Sequence, residues 1–410
     1  MELFDTFSIL IVLSALFAYV NYRFIKLPST IGLMLIAMIT SMLLVATGKM
    51  FPTTLEHMTQ LMSSIDFSRL LMEVMLGFLL FAGAIHIKLD ELKQVWLPVA
   101  LFSTVSVVVS TFIVGSVVFY LLEWFGFPFS YLHCLLFGAL ISPTDPIAVL
   151  GILKQAGIAK KLEMKIAGES LFNDGVAVVV FLTILEIAEN PGHMGWTDVA
   201  GLFAREAIGG ILLGLAAGYA GFVLMRRIDN YKVEVLLTLA VVMGGYAAAS
   251  RLHISGPLAM VAAGILIGNQ GKEYAMSKLT AEYVDKFWEL IDEILNAVLF
   301  VLIGLEVVIL HFEPHYFTLG IIAIALVLFA RFISVWIPAQ VIRFTNEPFD
   351  RQTIKILTWG GLRGGISIAL ALSLSPAVGR ELWVAMTYCV VAFSILVQGL
   401  TVGKLAQKSV

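Results

Sequence analysis

Thirteen apolar runs, each close to the length of a bilayer crossing, occupy most of the chain. They fall near 6–22, 28–47, 69–88, 95–122, 130–154, 164–188, 200–225, 232–250, 256–270, 287–310, 316–342, 353–375 and 380–403. A helix needs about 20 mostly apolar residues to span the hydrocarbon core of a membrane. Lipid offers no partner for backbone N–H and C=O groups, so runs of this length imply helices that satisfy themselves. The composition agrees, since 60% of the 410 residues are hydrophobic and 13% are charged. A soluble domain is nearer half apolar and a quarter charged. The expectation is an all-α polytopic membrane protein with membrane lipid as its surroundings. The flank MELFDTFSILIVLS is acidic where a signal peptide would be basic, so it reads as a retained first span. The two cysteines, Cys134 and Cys389, lie in apolar runs and read as free buried thiols.

Basic residues orient such a chain, because Lys and Arg collect on the cytoplasmic side. With an odd number of spans and the N-terminus outside, nineteen of the 26 Lys and Arg residues fall in cytoplasmic segments. Among them are Arg23, Lys26, Lys88, Lys93, Lys154, Lys160, Lys161, Lys165, Arg226, Arg227, Arg343 and Lys408. Lys49, Arg69, Arg205, Arg251 and Arg380 fall outside, while Arg331 and Arg363 lie within spans. The reading is N-terminus out and C-terminus in the cytoplasm.

Two spans carry their own interruptions. The fifth reads LLFGALISPTDPIAVLGIL, with Pro143 and Pro146 bracketing Thr144 and Asp145. Proline removes a backbone donor, and the residue before it is pushed out of helical geometry, so the helix should open over 142–146. Asp145 would then cap a second half-helix with Pro146 at its first position. The twelfth span reads TIKILTWGGLRGGISIALALSL, with Gly360, Gly361, Gly364 and Gly365 around Arg363. If spans 1–6 and 8–13 are two six-helix repeats, both breaks fall in the fifth helix of a repeat. The repeats are then related by inversion, because seven spans separate them. Paired interrupted helices in inverted repeats mark the substrate site of a transporter.

Span six begins GESLFNDGVAVVVF. Charged groups inside a bilayer are expensive and mark function. At helical spacing Glu169 and Asn173 share one face, while Ser170 and Asp174 share the next. A guanidinium within a span needs an anionic partner, so Glu169 and Arg363 are expected to form a structural ion pair supported by Asn173. Asp174 is left without a cation of its own. With the Ser170 hydroxyl and the freed carbonyl near Thr144 it offers oxygen ligands to a hard monovalent cation such as Na+. A carboxylate in that position holds either a proton or a cation, which is the requirement for exchanging one for the other. Asp145 caps the half-helix or joins the site. Glu73, Glu306, Asp292 and Arg331 are in or near spans and read as helix-end or inter-helix contacts that could also line an ion path.

The segments ISPTDPIAVL, GESLFNDGVAVVVF and WGGLRGGISIALALSL together resemble the motif set of the monovalent cation:proton antiporters of the NhaP/NHE type. The likeness extends over essentially the whole chain. It implies the NhaA/NhaP-like antiporter fold, with about 13 transmembrane helices in two inverted repeats with discontinuous crossing helices. It also implies a homodimer in the inner membrane of a prokaryote. By this resemblance residues 1–94 and 229–314 form a dimerisation scaffold, 95–190 and 315–410 a core, and 191–228 a linking helix. Carried over residue by residue, Asp174 is the transport carboxylate, with Ser170, Thr144 and Asp145 beside it. Glu169 and Arg363 are the core ion pair, and Asn173 the asparagine of the Asn–Asp pair. That asparagine implies electroneutral, one-for-one exchange. One departure is Ala82 in LLFAG, where some relatives carry an acid, and Glu73 is a possible substitute ligand. No cofactor, nucleotide loop or nucleophilic arrangement is expected, no basic surface suggests nucleic acid, and the chain does not read as an enzyme. The alternatives are a K+/H+ antiporter and a passive cation channel, the channel disfavoured by the inverted repeat and the buried ion pair.

Overall fold

In the computed structural model the described residues are 3–48, 52–155, 157–189, 195–309, 313–342 and 351–407. Of the basic residues used to orient the chain, Lys49, Arg343 and Lys408 lie outside them. Nine helices among the described residues are long and apolar enough to cross a membrane. In chain order, with the shorter helices between them, the elements are α1 (Phe7–Ile25), α2 (Ser29–Thr47), α3 (Phe67–Ile85), α4 (Trp96–Trp124), α5 (Tyr131–Leu140), α6 (Ile147–Gln155), α7 (Lys160–Glu189) and α8 (Thr197–Met225). They continue with α9 (Tyr231–Leu252), α10 (Gly256–Leu266), α11 (Lys278–Leu305), α12 (His315–Ile342), α13 (Arg351–Trp359), α14 (Gly365–Ser373) and α15 (Arg380–Gln407).

The expected spans that are not among the nine depart from a plain crossing helix for visible reasons. Spans five and twelve are each split, into α5 and α6 and into α13 and α14. The 256–270 run is the short α10 followed by a π-helical turn at Ile267–Gly271. Helix α11 begins nine residues before the predicted run, and its first sixteen residues include Asp285, Lys286, Glu289, Asp292 and Glu293. A helix at Pro52–Ser64 was not anticipated; at thirteen residues, several of them polar, it is too short to cross a bilayer.

Helix α4 packs on α5, α7 and α12, and α12 in turn on α15. Helix α11 packs on α2 and α3, while α8 lies against α9 and α10. The two split helices sit between these groups, with α14 in contact with α5, α11 and α15. Sterically, α6 and α14 have only two turns or so each, so neither is stable alone; packing holds them.

Candidate ion site

Prolines and glycines open both split helices, and each break completes the other. The Asp145 N–H donates to the Leu362 carbonyl at 2.8 Å, an isolated antiparallel bridge between the two extended segments. Arg363 extends from the second break to the first, where its Nη1 donates to the carbonyls of Ser142 at 2.5 Å and Pro143 at 2.9 Å. Those carbonyls follow the C-terminus of α5, where the helix dipole is negative and a cation is favoured. The Arg363 backbone N–H donates to Ser394 Oγ at 2.9 Å. Gln398 Nε2 donates to the Trp359 carbonyl at 3.0 Å. Ser394 and Gln398 open and close a π-helical turn inside α15, which turns both side chains onto the break. The backbone groups freed by the breaks thus find protein partners, as a low-dielectric interior demands.

Helix α6 starts one residue later than the sequence suggested. The Pro146 carbonyl accepts from Val149 N and Leu150 N, so Pro146 and not Asp145 holds the cap position. The Asp145 N–H donates to Leu362 across the crossing.

The ion pair also differs from the expectation. Glu169 pairs with Arg331 of α12, at 2.6 Å between Nη2 and Oε1. Both partners are buried, at 6% and 2% side-chain exposure. Arg331 further donates from Nε and Nη2 to the Leu357 carbonyl at 3.3 and 3.1 Å. The predicted Glu169–Arg363 pair does not form, because Arg363 is spent on the carbonyls of the first break. It stays close enough to act on Glu169 electrostatically, and its Nη2 is buried without a hydrogen-bond partner. Sequence reasoning placed two arginines inside spans and had one buried glutamate to assign; only the packing of α12 on the core decides between them.

Asn173 fills the role assigned to it in a specific way. Its Nδ2 donates to Thr144 Oγ1 at 2.7 Å, and its Oδ1 accepts from the Thr144 N–H at 3.3 Å. Ser170 Oγ lies 3.1 Å from the same Thr144 Oγ1. The residue exposed by the first break is therefore clamped by both faces of α7. Thr144, Asp145 and Asp174 line one cavity of about 350 Å³, whose other end reaches His86, Lys154 and Glu163. Asp174 itself is 8% exposed. A second cavity, of about 1020 Å³, lies beyond Phe181 and Leu370 and reaches Asp66, Arg69 and Arg380 without touching Asp174. Two turns of α7, about 10 Å of helix at 1.5 Å per residue, separate Asp174 from the Phe181 wall.

Glu73 is not brought to this site. It is exposed, pairs with Arg69 at 2.9 Å, and lines the second cavity. The position left by Ala82 is filled by no acid of α3. Exchange activity is accordingly expected to survive Glu73→Gln within about twofold, as the removal of one exposed ion pair changes little; a transport assay in vesicles checks it.

Two glycines of the second break are required by close approach. A Cβ on Gly364 would stand 2.6 Å from Asp145 Oδ2, and one on Gly361 would stand 2.5 Å from Arg331 Nε. Gly364→Ala is expected to displace the Asp145 carboxylate and lower exchange at least about tenfold, whereas Gly151→Ala, with open space at its Cβ, is expected to be silent.

The family model for the sodium/hydrogen exchanger transmembrane region matches residues 11–408. The chain belongs to the sodium/hydrogen exchanger family. It is 49% identical to the Na+/H+ antiporter NhaP of Pseudomonas aeruginosa over 98% of this chain and 96% of that protein. It is 37% identical to the Na+/H+ antiporter NhaH of Halobacillus dabanensis over 73% of each. The fold matches the sodium proton antiporter MjNhaP1 of Methanocaldococcus jannaschii with a TM-score of 0.77 over 100% of this chain and 99% of that one, at 18% identity. Membership in this exchanger family makes the chain a membrane transporter and not an enzyme. The residues that sequence reasoning underrated are Arg331, Ser394, Gln398, Asp292 and Asn296. For Arg331 and Asp292 the available signal was a charge in or near an apolar run; for Ser394, Gln398 and Asn296 no signal short of the packing existed.

Proposed function

We propose that this exchanger moves Na+, with Li+ and K+ as candidate alternatives, against H+, one for one. Proton and cation compete for Asp174. The observation that carries the reading is a nearly buried carboxylate that lines, with Thr144 and Asp145, a cavity that also reaches His86, Lys154 and Glu163. Asp174 supplies the charge, Thr144 and Ser170 the oxygen ligands, and Asn173 holds Thr144 in place. Asp145 adds a second acid beside the site. A passive pore needs one continuous path; here the two cavities share no lining residue, and Phe181 and Leu370 line the second alone.

By this reading 95–190 and 315–410 move as a core against a scaffold of 1–94 and 229–314, with 191–228 as the link. That motion carries Asp174 from the first cavity to the second. The mouth residues of the first cavity, His86, Lys154 and Glu163, belong to segments read as cytoplasmic, so this is the inward-facing state. The N-terminus lies outside, the C-terminus inside, and two copies pair through the scaffold in the inner membrane.

The test is proton movement in vesicles containing the purified protein, with the membrane potential clamped, titrated with each cation. One-for-one exchange predicts cation-driven proton efflux that is insensitive to the clamp. Competition predicts that the apparent KM for the cation rises about tenfold per pH unit once the protonated carboxyl dominates, while the maximal rate holds. Dependence on the potential would overturn electroneutrality, and a KM that ignores pH would overturn competition.

A further inference from the structure

Three side chains of the Asp174 cavity have no place in the site described above. Asp292 and Asn296 of α11 line it, and Ser367 lines it from the start of α14. Asp292 and Asn296 are four apart and share a helix face. Asn296 donates from Nδ2 to the Asp292 carbonyl at 2.8 Å, which fixes the amide. Its Oδ1 is left buried without a hydrogen-bond partner, in a side chain only 3% exposed. Ser367 Oγ is likewise buried and unpartnered, in a residue 1% exposed. Helix α14 meets α11 one turn beyond Asn296, where a Cβ on Gly365 would stand 2.6 Å from Leu299 Cδ1. No basic side chain among the described residues acts on Asp292.

A buried oxygen left unpaired is costly, and native proteins leave few of them without a reason. Two such oxygens and a carboxylate line the same cavity and together offer a donor set of carboxylate, amide carbonyl and hydroxyl. That set suits a hard monovalent cation that has lost part of its water. Its one negative charge disfavours an anion.

We propose that Asp292, Asn296 and Ser367 form a capture site for an alkali-metal cation, which loads Asp174 from the inward-facing cavity. The proposal rests on the exchange reading above and extends it to these three residues. Asp292 and Asn296 belong to the scaffold, whereas Asp174 and Thr144 belong to the core. Ser367 belongs to the core with them, so movement of the core takes the capture site apart, and the site serves only the side to which this cavity opens. Its loss is felt on one side of the membrane.

The experiment measures the apparent KM for NaCl and LiCl from each side, in vesicles of both orientations, for the full-length protein. In Asp292→Asn the KM measured from the cavity side is expected to rise about tenfold relative to the KM from the opposite side, the effect of one lost charge close to the ion. Asn296→Ala and Ser367→Ala are expected to shift the same ratio by about threefold in the same direction, and Asp292→Glu to restore it. The alanine variants carry the test should Asp292→Asn fail to fold. An unchanged ratio in all three variants, or an equal rise on both sides, overturns the capture site. Either result leaves the Asp174 reading standing, since that reading fails only if Asp174→Asn still exchanges.

Discussion

Asp174→Asn is expected to abolish cation-driven proton movement while the protein still folds. The amide has the shape of the carboxylate, and the residue sits 8% exposed at the head of a cavity rather than in an ion pair. The substitution removes one thing, the charge that alternately holds a proton and a cation. Losing the anionic ligand of a partly dehydrated ion takes away more than about 3 kcal/mol of binding, or more than a hundredfold. Stability should hold or rise, because an ionised carboxylate inside a bilayer costs about 2.5–3.5 kcal/mol by insertion scales and an amide costs less. Proton efflux from vesicles and thermal unfolding in detergent are the two measurements. A variant that unfolds earlier but still exchanges would place the transport acid elsewhere.

Arg331→Ala is expected to cause the largest loss of stability among single changes in the core. It strands Glu169, 2% exposed, without its partner, and it leaves the Leu357 carbonyl without its donor. Breaking a buried pair by removing one member costs about 3–5 kcal/mol, most of it the penalty for the uncompensated charge. Adding Glu169→Gln should recover a substantial part, with a coupling energy of about 0.5–3 kcal/mol in a double-mutant cycle. The same cycle built on Arg363 and Glu169 should show weaker coupling, because the direct contacts of Arg363 are the carbonyls of Ser142 and Pro143. Stronger coupling to Arg363 than to Arg331 would reverse the assignment. The measurement is the unfolding midpoint of the four variants of each cycle in one detergent.

Most of this molecule could be read before any packing was known, and the part that could not has a common cause. The breaks at Pro143 and Pro146 and at the four glycines around Arg363 are legible because proline and glycine act on the backbone where they stand. The two faces of α7 are legible because helical spacing alone puts Glu169 with Asn173 and Ser170 with Asp174. Asn173 was placed as a supporting amide, and it does support the break, though through Thr144 and not through the arginine. No local pattern fixes where Glu73 goes, and it lies outside the site because α3 turns it to the other cavity.

What the sequence by itself determined is the class of structure: a bundle of lipid-buried helices, two of them interrupted, with an isolated acid at one interruption. Hydrophobic length, backbone chemistry and helical periodicity are properties of neighbours in the chain, so they need no knowledge of the fold. Only the tertiary structure decided which arginine meets Glu169, what satisfies the second break, and which wall of the cavity Asp292 and Asn296 occupy. Those are contacts between residues tens to hundreds of positions apart. They depend on how α11, α12 and α15 settle against the crossing, and no local rule carries that information.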